Sequence, residues 1–262
     1  MNDFYVGYLP TAPTRLARFV RKVIVVLGLL AATGALVLVI GQMPFANSAF
    51  EYGKLRTFEG IIETHPYPTL LVARPGEVEP EKKYSRYLLV APGKHGADDL
   101  VADFDGKHVS LQGQLIYRAG GTMVEIEPGS IHPLNIVPAI QLAAHGLGPV
   151  TVSGEIVDSK CYLGVMNPGK GKVHRDCASR CLSGGIPPIF VTLNGEDQFL
   201  LVGPDGKAIG RDELRAFVAE PITIQGELLQ RGESRLLRID VRTLRHTPNG
   251  IEAALRSTES KE

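Results

Sequence analysis

Hydrophobic and polar positions along the chain follow two different rules. From Val23 to Ile40 the run Val-Ile-Val-Val-Leu-Gly-Leu-Leu-Ala-Ala-Thr-Gly-Ala-Leu-Val-Leu-Val-Ile carries no charge. A helix needs about twenty apolar residues to cross a bilayer, and Gly41 to Phe45 supply the remainder. The pattern predicts a transmembrane anchor helix over 23–45. Thr14 is placed to cap a helix that runs through Arg15-Leu-Ala-Arg-Phe-Val into that span. Beyond it, apolar and polar residues alternate in short runs, the period-two signature of half-buried strands.

Those runs occur twice. One copy opens Phe58-Glu-Gly-Ile-Ile-Glu63, the other Val152-Ser-Gly-Glu-Ile-Val-Asp158. Tyr87-Leu-Leu-Val-Ala-Pro92 answers Phe199-Leu-Leu-Val-Gly-Pro204. Each then has a helix candidate, 97–104 and 211–218, and closes with two strand candidates, 109–116 with 122–127 and 222–229 with 235–241. Strand, strand, strand, helix, strand, strand is the order of an OB-fold, a small five-stranded barrel. The expectation is an all-β body with minor helix: two tandem OB-like barrels at 54–135 and 149–247, joined by a linker at 136–148. A polar tail at 248–262 reads as flexible.

Charge sets the direction of the anchor. Arg15, Arg18, Arg21 and Lys22 precede the apolar run, and no Lys or Arg follows it before Lys54. The positive-inside rule puts residues 1–22, an arm rich in aromatics and proline, in the cytoplasm and the body outside. A cleaved signal peptide is the alternative, since Ala46 to Ala49 offers small residues, but the apolar run is longer than the usual signal core. Either reading exports the body, and a bacterial inner membrane with a periplasmic body is expected. The arm suits docking on an integral-membrane subunit, or lying at the lipid interface. Lys+Arg 28 against Asp+Glu 28, with Trp 0, gives neither the charge nor the best stacking side chain for gripping nucleic acid.

All three cysteines, Cys161, Cys177 and Cys181, lie close together with His174. The stretch from Gly154 to Phe199 is much longer than its counterpart from Gly60 to Tyr87, because this segment is inserted between the first two strands of the second copy. That connection is among the loops OB-folds use for binding. His174, Cys177 and Cys181 fall at i, i+3 and i+7, one face of a helix over 173–182. Gly184-Gly185 is placed to end that helix. Three readings stay open. The four residues hold one metal ion, copper or zinc ahead of iron; or Cys161 pairs with Cys177 or Cys181 in a structural disulfide; or the thiols cycle as a redox pair, although no Cys-x-x-Cys is present. Spacing excludes covalent haem and a Rieske cluster. Asp158 and Asp176 flank the set as orienting residues or, by preference, as solvated turn residues. His65 sits in the matching loop of the first copy, and His95, His108, His132, His145 and His246 are scattered.

The motif Gly154-Glu-Ile-Val-Asp-x-x-Cys161, then His174-x-x-Cys177-Ala-x-x-Cys181, Gly185-Ile-Pro and Phe199-Leu-Leu-Val resembles a domain of exported bacterial proteins and lipoproteins of unassigned function. The resemblance covers about 150–245 and implies an exported OB-like module with a Cys/His site, without an activity. With no acid, base or nucleophile set in view, independent catalysis is not expected. The chain reads as a membrane-anchored accessory protein whose metal serves electron transfer or metal delivery to an integral-membrane partner. The alternative is an assembly module with a disulfide-braced loop.

Overall fold

The computed structural model describes residues 12–42, 48–79, 82–118, 120–134, 143–195 and 197–246. The chain forms two compact units, residues 1–46 and 47–262. The first contains helix α1 (Thr14–Gln42). From Val23 to Ile40 it carries no charge on any face, and Leu29, Leu30 and Val39 are exposed. That is the surface a lipid-facing helix needs, and α1 is long and apolar enough to cross a membrane. It starts at Thr14, where the cap was expected.

The second unit holds two closed five-stranded barrels. In the first, β2 (Arg56–Glu63), β3 (Thr69–Ala73), β4 (Tyr84–Val90), β5 (His108–Arg118) and β6 (Gly121–Ile126) supply the walls, after a short β1 (Ser48–Phe50). Ile62 lies opposite Leu70, and Leu70 opposite Tyr87. Leu89 then runs parallel to Val124, Val124 pairs Leu115, and Leu111 pairs Phe58 to close the ring. Alternation sends Ile62, Leu70, Leu89, Leu111 and Val124 into one core. Helix α2 (Asp98–Val101) and a following 3-10 turn occupy the predicted place between β4 and β5. Both β1 and β7 (His132–Pro133) add to β5, so the strands of this barrel begin at Ser48, ahead of the expected start.

The second barrel repeats the order with β8 (His145–Asp158), β9 (Pro188–Thr192), β10 (Gln198–Val202), β11 (Ile222–Arg231) and β12 (Ser234–Arg238), plus a short β13 (Arg245–His246). Here Ile156 pairs Phe190, Phe190 pairs Phe199, Leu201 runs parallel to Leu237, and Ile224 pairs Val152. β8 begins at His145, inside the stretch read as linker; residues 135–142, like the 248–262 tail, lie outside the described residues.

The helix expected over 211–218 does not form. Only a 3-10 turn, Arg215–Phe217, stands there. Val218 is pulled into extended geometry by a parallel bridge to Ile156, and Ala219 N–H donates to Ile156 O at 2.8 Å. Pairing with the sheet, together with burial of Leu214, Val218 and Ala219, overrides local helix propensity.

A third core lies between the barrels. Val90, Ile116 and Met123 from the first pack with Val157, Leu163, Ile186, Ile189 and Val191 from the second, and Cys161 and Cys181 belong to the same cluster. Tyr67, buried in the loop between β2 and β3, donates its hydroxyl to Leu201 O at 2.9 Å and accepts from Ile209 N–H at 3.1 Å. Burial raises its pKa above the ordinary phenol value. Tyr67→Phe strands both backbone groups of the second barrel, so it is expected to cost about 1–3 kcal/mol. Urea unfolding of the parent and variant chains checks this.

Candidate metal centre

The site begins where β8 ends. Asp158 is 0% exposed at the last strand position. Its Oδ1 accepts Cys161 N–H at 2.8 Å, which turns the chain into one wide helical turn, Cys161–Val165. The polypeptide then loops out and returns through a 3-10 turn, Lys172–His174, into α3 (Arg175–Ser183). His174 therefore precedes the helix instead of lying within it. Cys177 and Cys181 are four residues apart on α3 and share a face. The helix ends at Gly184-Gly185, as expected, with Gly184 N–H bonded to Arg180 O and Gly185 at φ +95. A side chain at Gly184 would fall 1.8 Å from Lys94 O, and Gly96 N–H donates to Gly184 O at 2.9 Å. Glycine at this helix end lets a loop of the first barrel press against it.

That contact delivers Lys94 to the thiols. Its Nζ stands 2.7 Å from Cys177 Sγ and 3.6 Å from Cys181 Sγ. Lys160 fixes the same loop from the other side, donating to Ala91 O at 2.8 Å and Gly93 O at 2.6 Å and pairing with Glu125. Neither lysine was legible as part of the site, because each meets it through a contact between the repeats.

All three cysteines are free thiols. Cys161 Sγ lies 3.9 Å from Cys177 Sγ and 4.0 Å from Cys181 Sγ, and the three sulfurs lie within 4.8 Å of one another. A disulfide needs about 2.05 Å, whereas thiolates around one tetrahedral zinc, each about 2.3 Å from it, stand roughly 3.8 Å apart. The spacing is that of ligands around an ion.

His174, 1% exposed, joins Cys161 and Asp158 in a second such group. Its Nε2–H donates to Asp158 Oδ2 at 2.8 Å, with the proton placed there because a carboxylate oxygen accepts. Its Nδ1 is buried without a protein partner. In the neutral ring that nitrogen carries a lone pair, and a carboxylate on the opposite nitrogen is the usual support of a metal-bound histidine. So Asp158 is no solvated turn residue but a buried orienting group, because β8 carries it into the core. Asp176 is exposed, as expected. His65 takes part only through its carbonyl, which accepts from Arg231, and the other histidines join no such group among the described residues.

The thiols are not equivalent. Donation to Cys181, with burial and the nearby Asp158 carboxylate, pushes Cys161 far above the ordinary thiol range. The same bond, received from Cys161 and aided by Lys94, holds Cys181 below it. Donation to Cys177 raises Lys94, which stays an ammonium.

No protein-family model, curated protein or solved structure matches this chain. The chemistry must be read from its own donors. The three sulfurs form a set that can hold a soft metal ion, with the Lys94 ammonium beside it; His174 and Asp158 group with Cys161 and not with Cys177 or Cys181. Cys161 and Cys181 are 3% and 1% exposed, while Cys177 is half-buried. In metal-free protein, iodoacetamide is expected to modify Cys177 first, Cys181 next and Cys161 last. Peptide mapping over a time course checks that order.

Proposed function

We propose that this chain is a membrane-anchored carrier of one soft metal ion, which it presents outside the membrane to an integral-membrane partner. Cys161, Cys177 and Cys181 supply three thiolates, and His174 Nδ1 supplies the fourth donor. The observation that carries this reading is the cluster of three free thiols at ligand spacing, adjoined at Cys161 by a second group that holds His174, whose Nδ1 is buried and unpartnered. Leaving such a nitrogen dry and unpaired costs about 1–3 kcal/mol, a cost that coordination removes.

Delivery fits better than electron transfer. Cys177 keeps one edge of the site open toward solvent, so a thiolate of a partner can reach the ion there and replace the protein's own ligands one at a time. Charge balance favours zinc over Cu(I). Three thiolates around a divalent ion leave one negative charge, which Lys94 offsets; around Cu(I) they leave two. The barrels are read as OB-like, with the binding insertion between the first two strands of the second. α1 is read as the anchor, N-terminus in the cytoplasm and body in the periplasm, from the cationic residues that precede the span.

The test is metal analysis of the full-length chain, purified in detergent without chelator and paired with a free-thiol count. One zinc or copper per chain is expected, with no free thiols reactive until it is removed. Cys177→Ser and His174→Ala are each expected to weaken retention against a competing chelator by tenfold or more. Asp158→Asn, which loses the acceptor that orients His174, should weaken it about 10–100-fold. A metal-free chain containing one disulfide and one free thiol would overturn the proposal and leave a disulfide-braced assembly module.

A further inference from the structure

A second feature lies between the barrels: a cavity of about 530 Å³ that none of the three cysteines lines. The first barrel lines it with Arg74 just past β3, with β4 and with the β5–β6 hairpin, the second with the turn after β8, with β9, β10 and the β11–β12 hairpin. The hairpin of the first barrel approaches the second closely enough that a side chain at Gly121 would fall 2.7 Å from Leu163 Cδ2. The volume falls in the range of small-molecule sites.

Its charge is one-sided. Arg74, Arg86, Arg118 and Arg235 line it, with Glu233 as the one lining carboxylate among the described residues. Arg74 is held by Glu233 at 2.7 Å and Arg235 by Asp197 at 2.5 Å. Arg86 bonds Glu63 at 2.7 Å, and Arg231 shares that carboxylate. Three carboxylates thus serve four lining guanidiniums. Arg118 is the one left over: its guanidinium stacks 4.2 Å from the Tyr162 ring centroid, and among the described residues no carboxylate pairs with it.

Buried hydrogen-bonding groups are satisfied almost everywhere in folded proteins, yet donors in this wall are not. Arg86 Nη1, Arg118 Nε and Ser159 Oγ are all buried without a protein partner. The Arg86 side chain is only 5% exposed, and burial pulls its guanidinium below the ordinary value despite Glu63 beside it. Leu163, Ile189 and Phe199 give the cavity an apolar side.

We propose that this cavity binds a small organic oxyanion, with a phosphate or carboxylate head accepting from Arg118, Arg86 and Ser159 and an apolar body lying against Leu163, Ile189 and Phe199. One anionic group satisfies the orphaned donors and balances the fourth guanidinium at once. Arg is the side chain best shaped for such a head. None of the proposed metal ligands lines it, so its binding can be measured on the metal-free chain.

Calorimetric titration of the full-length chain in detergent tests this with phenyl phosphate and benzoate, each carrying a ring, against benzyl alcohol and benzylamine. One saturable site for at least one anion is expected, weakening as salt is added, with neither control binding. The preferred anion tells a phosphate head from a carboxylate one. Arg118→Gln is expected to weaken binding roughly tenfold or more, and Ser159→Ala, a smaller change, to weaken it several-fold with the unfolding curve unchanged. No heat from either anion, equal binding of benzyl alcohol, or parent-like affinity in both variants would overturn the proposal.

Discussion

Burial of apolar surface between the two barrels is the constraint on which the rest depends. Val90, Ile116 and Met123 face Val157, Leu163, Ile186 and Ile189, and this shared core makes one body of the two repeats. Each fully buried aliphatic side chain contributes about 1.5–3 kcal/mol, but such contacts are non-directional and do not fix how the barrels are set. Lys160 supplies direction. An ammonium has three donors, and here Ala91 O, Gly93 O and Glu125 accept them in a buried setting. A buried pair of this kind adds little net stability, because desolvation offsets the attraction. It does penalise any arrangement that separates β8 from the loop before α2. That loop carries Lys94, so the packing of the repeats and the electrostatics of the thiols are settled together.

The duplicated loop between the first and second strands shows how one fold was used in two ways. In the first barrel it is short, and its Tyr67 reaches across to satisfy Leu201 O and Ile209 N–H of the second. In the second barrel it is long enough to make a turn and a helix, and it holds the three thiols and His174. One copy became a clasp and the other a site. Each copy borders the contact between the barrels, so neither loop has its function without the other repeat.

Much of this was legible in the sequence, for physical reasons that also explain the gaps. Strand alternation is a local signal, and it located both barrels and the inserted Cys/His segment. The helical spacing of Cys177 and Cys181, with Gly184-Gly185 after them, located α3. The Asp-rich helix before β5 formed, whereas the similar candidate at 211–218 did not, because a bridge between Ile156 and Val218 is a tertiary fact with no local trace. Ser48–Phe50 is too short to show a period. Asp158 looked like a turn residue because polarity alone does not reveal whether a strand end is buried. Lys94 and the arginines of the cavity come from both repeats, and no spacing rule connects residues that meet only when two barrels dock.

The proposed metal ligands and the cavity meet in one short segment. Ser159 and Leu163 face the cavity, while Cys161 between them turns its sulfur toward Cys177 and Cys181. Asp158 anchors the turn through Cys161 N–H and also aligns His174. An ion on Cys161 and an anion on Ser159 would both contact this turn. Under the proposed reading, one ligand of the ion and one contact of the anion would stand two residues apart, on a segment that the contact between the barrels keeps buried.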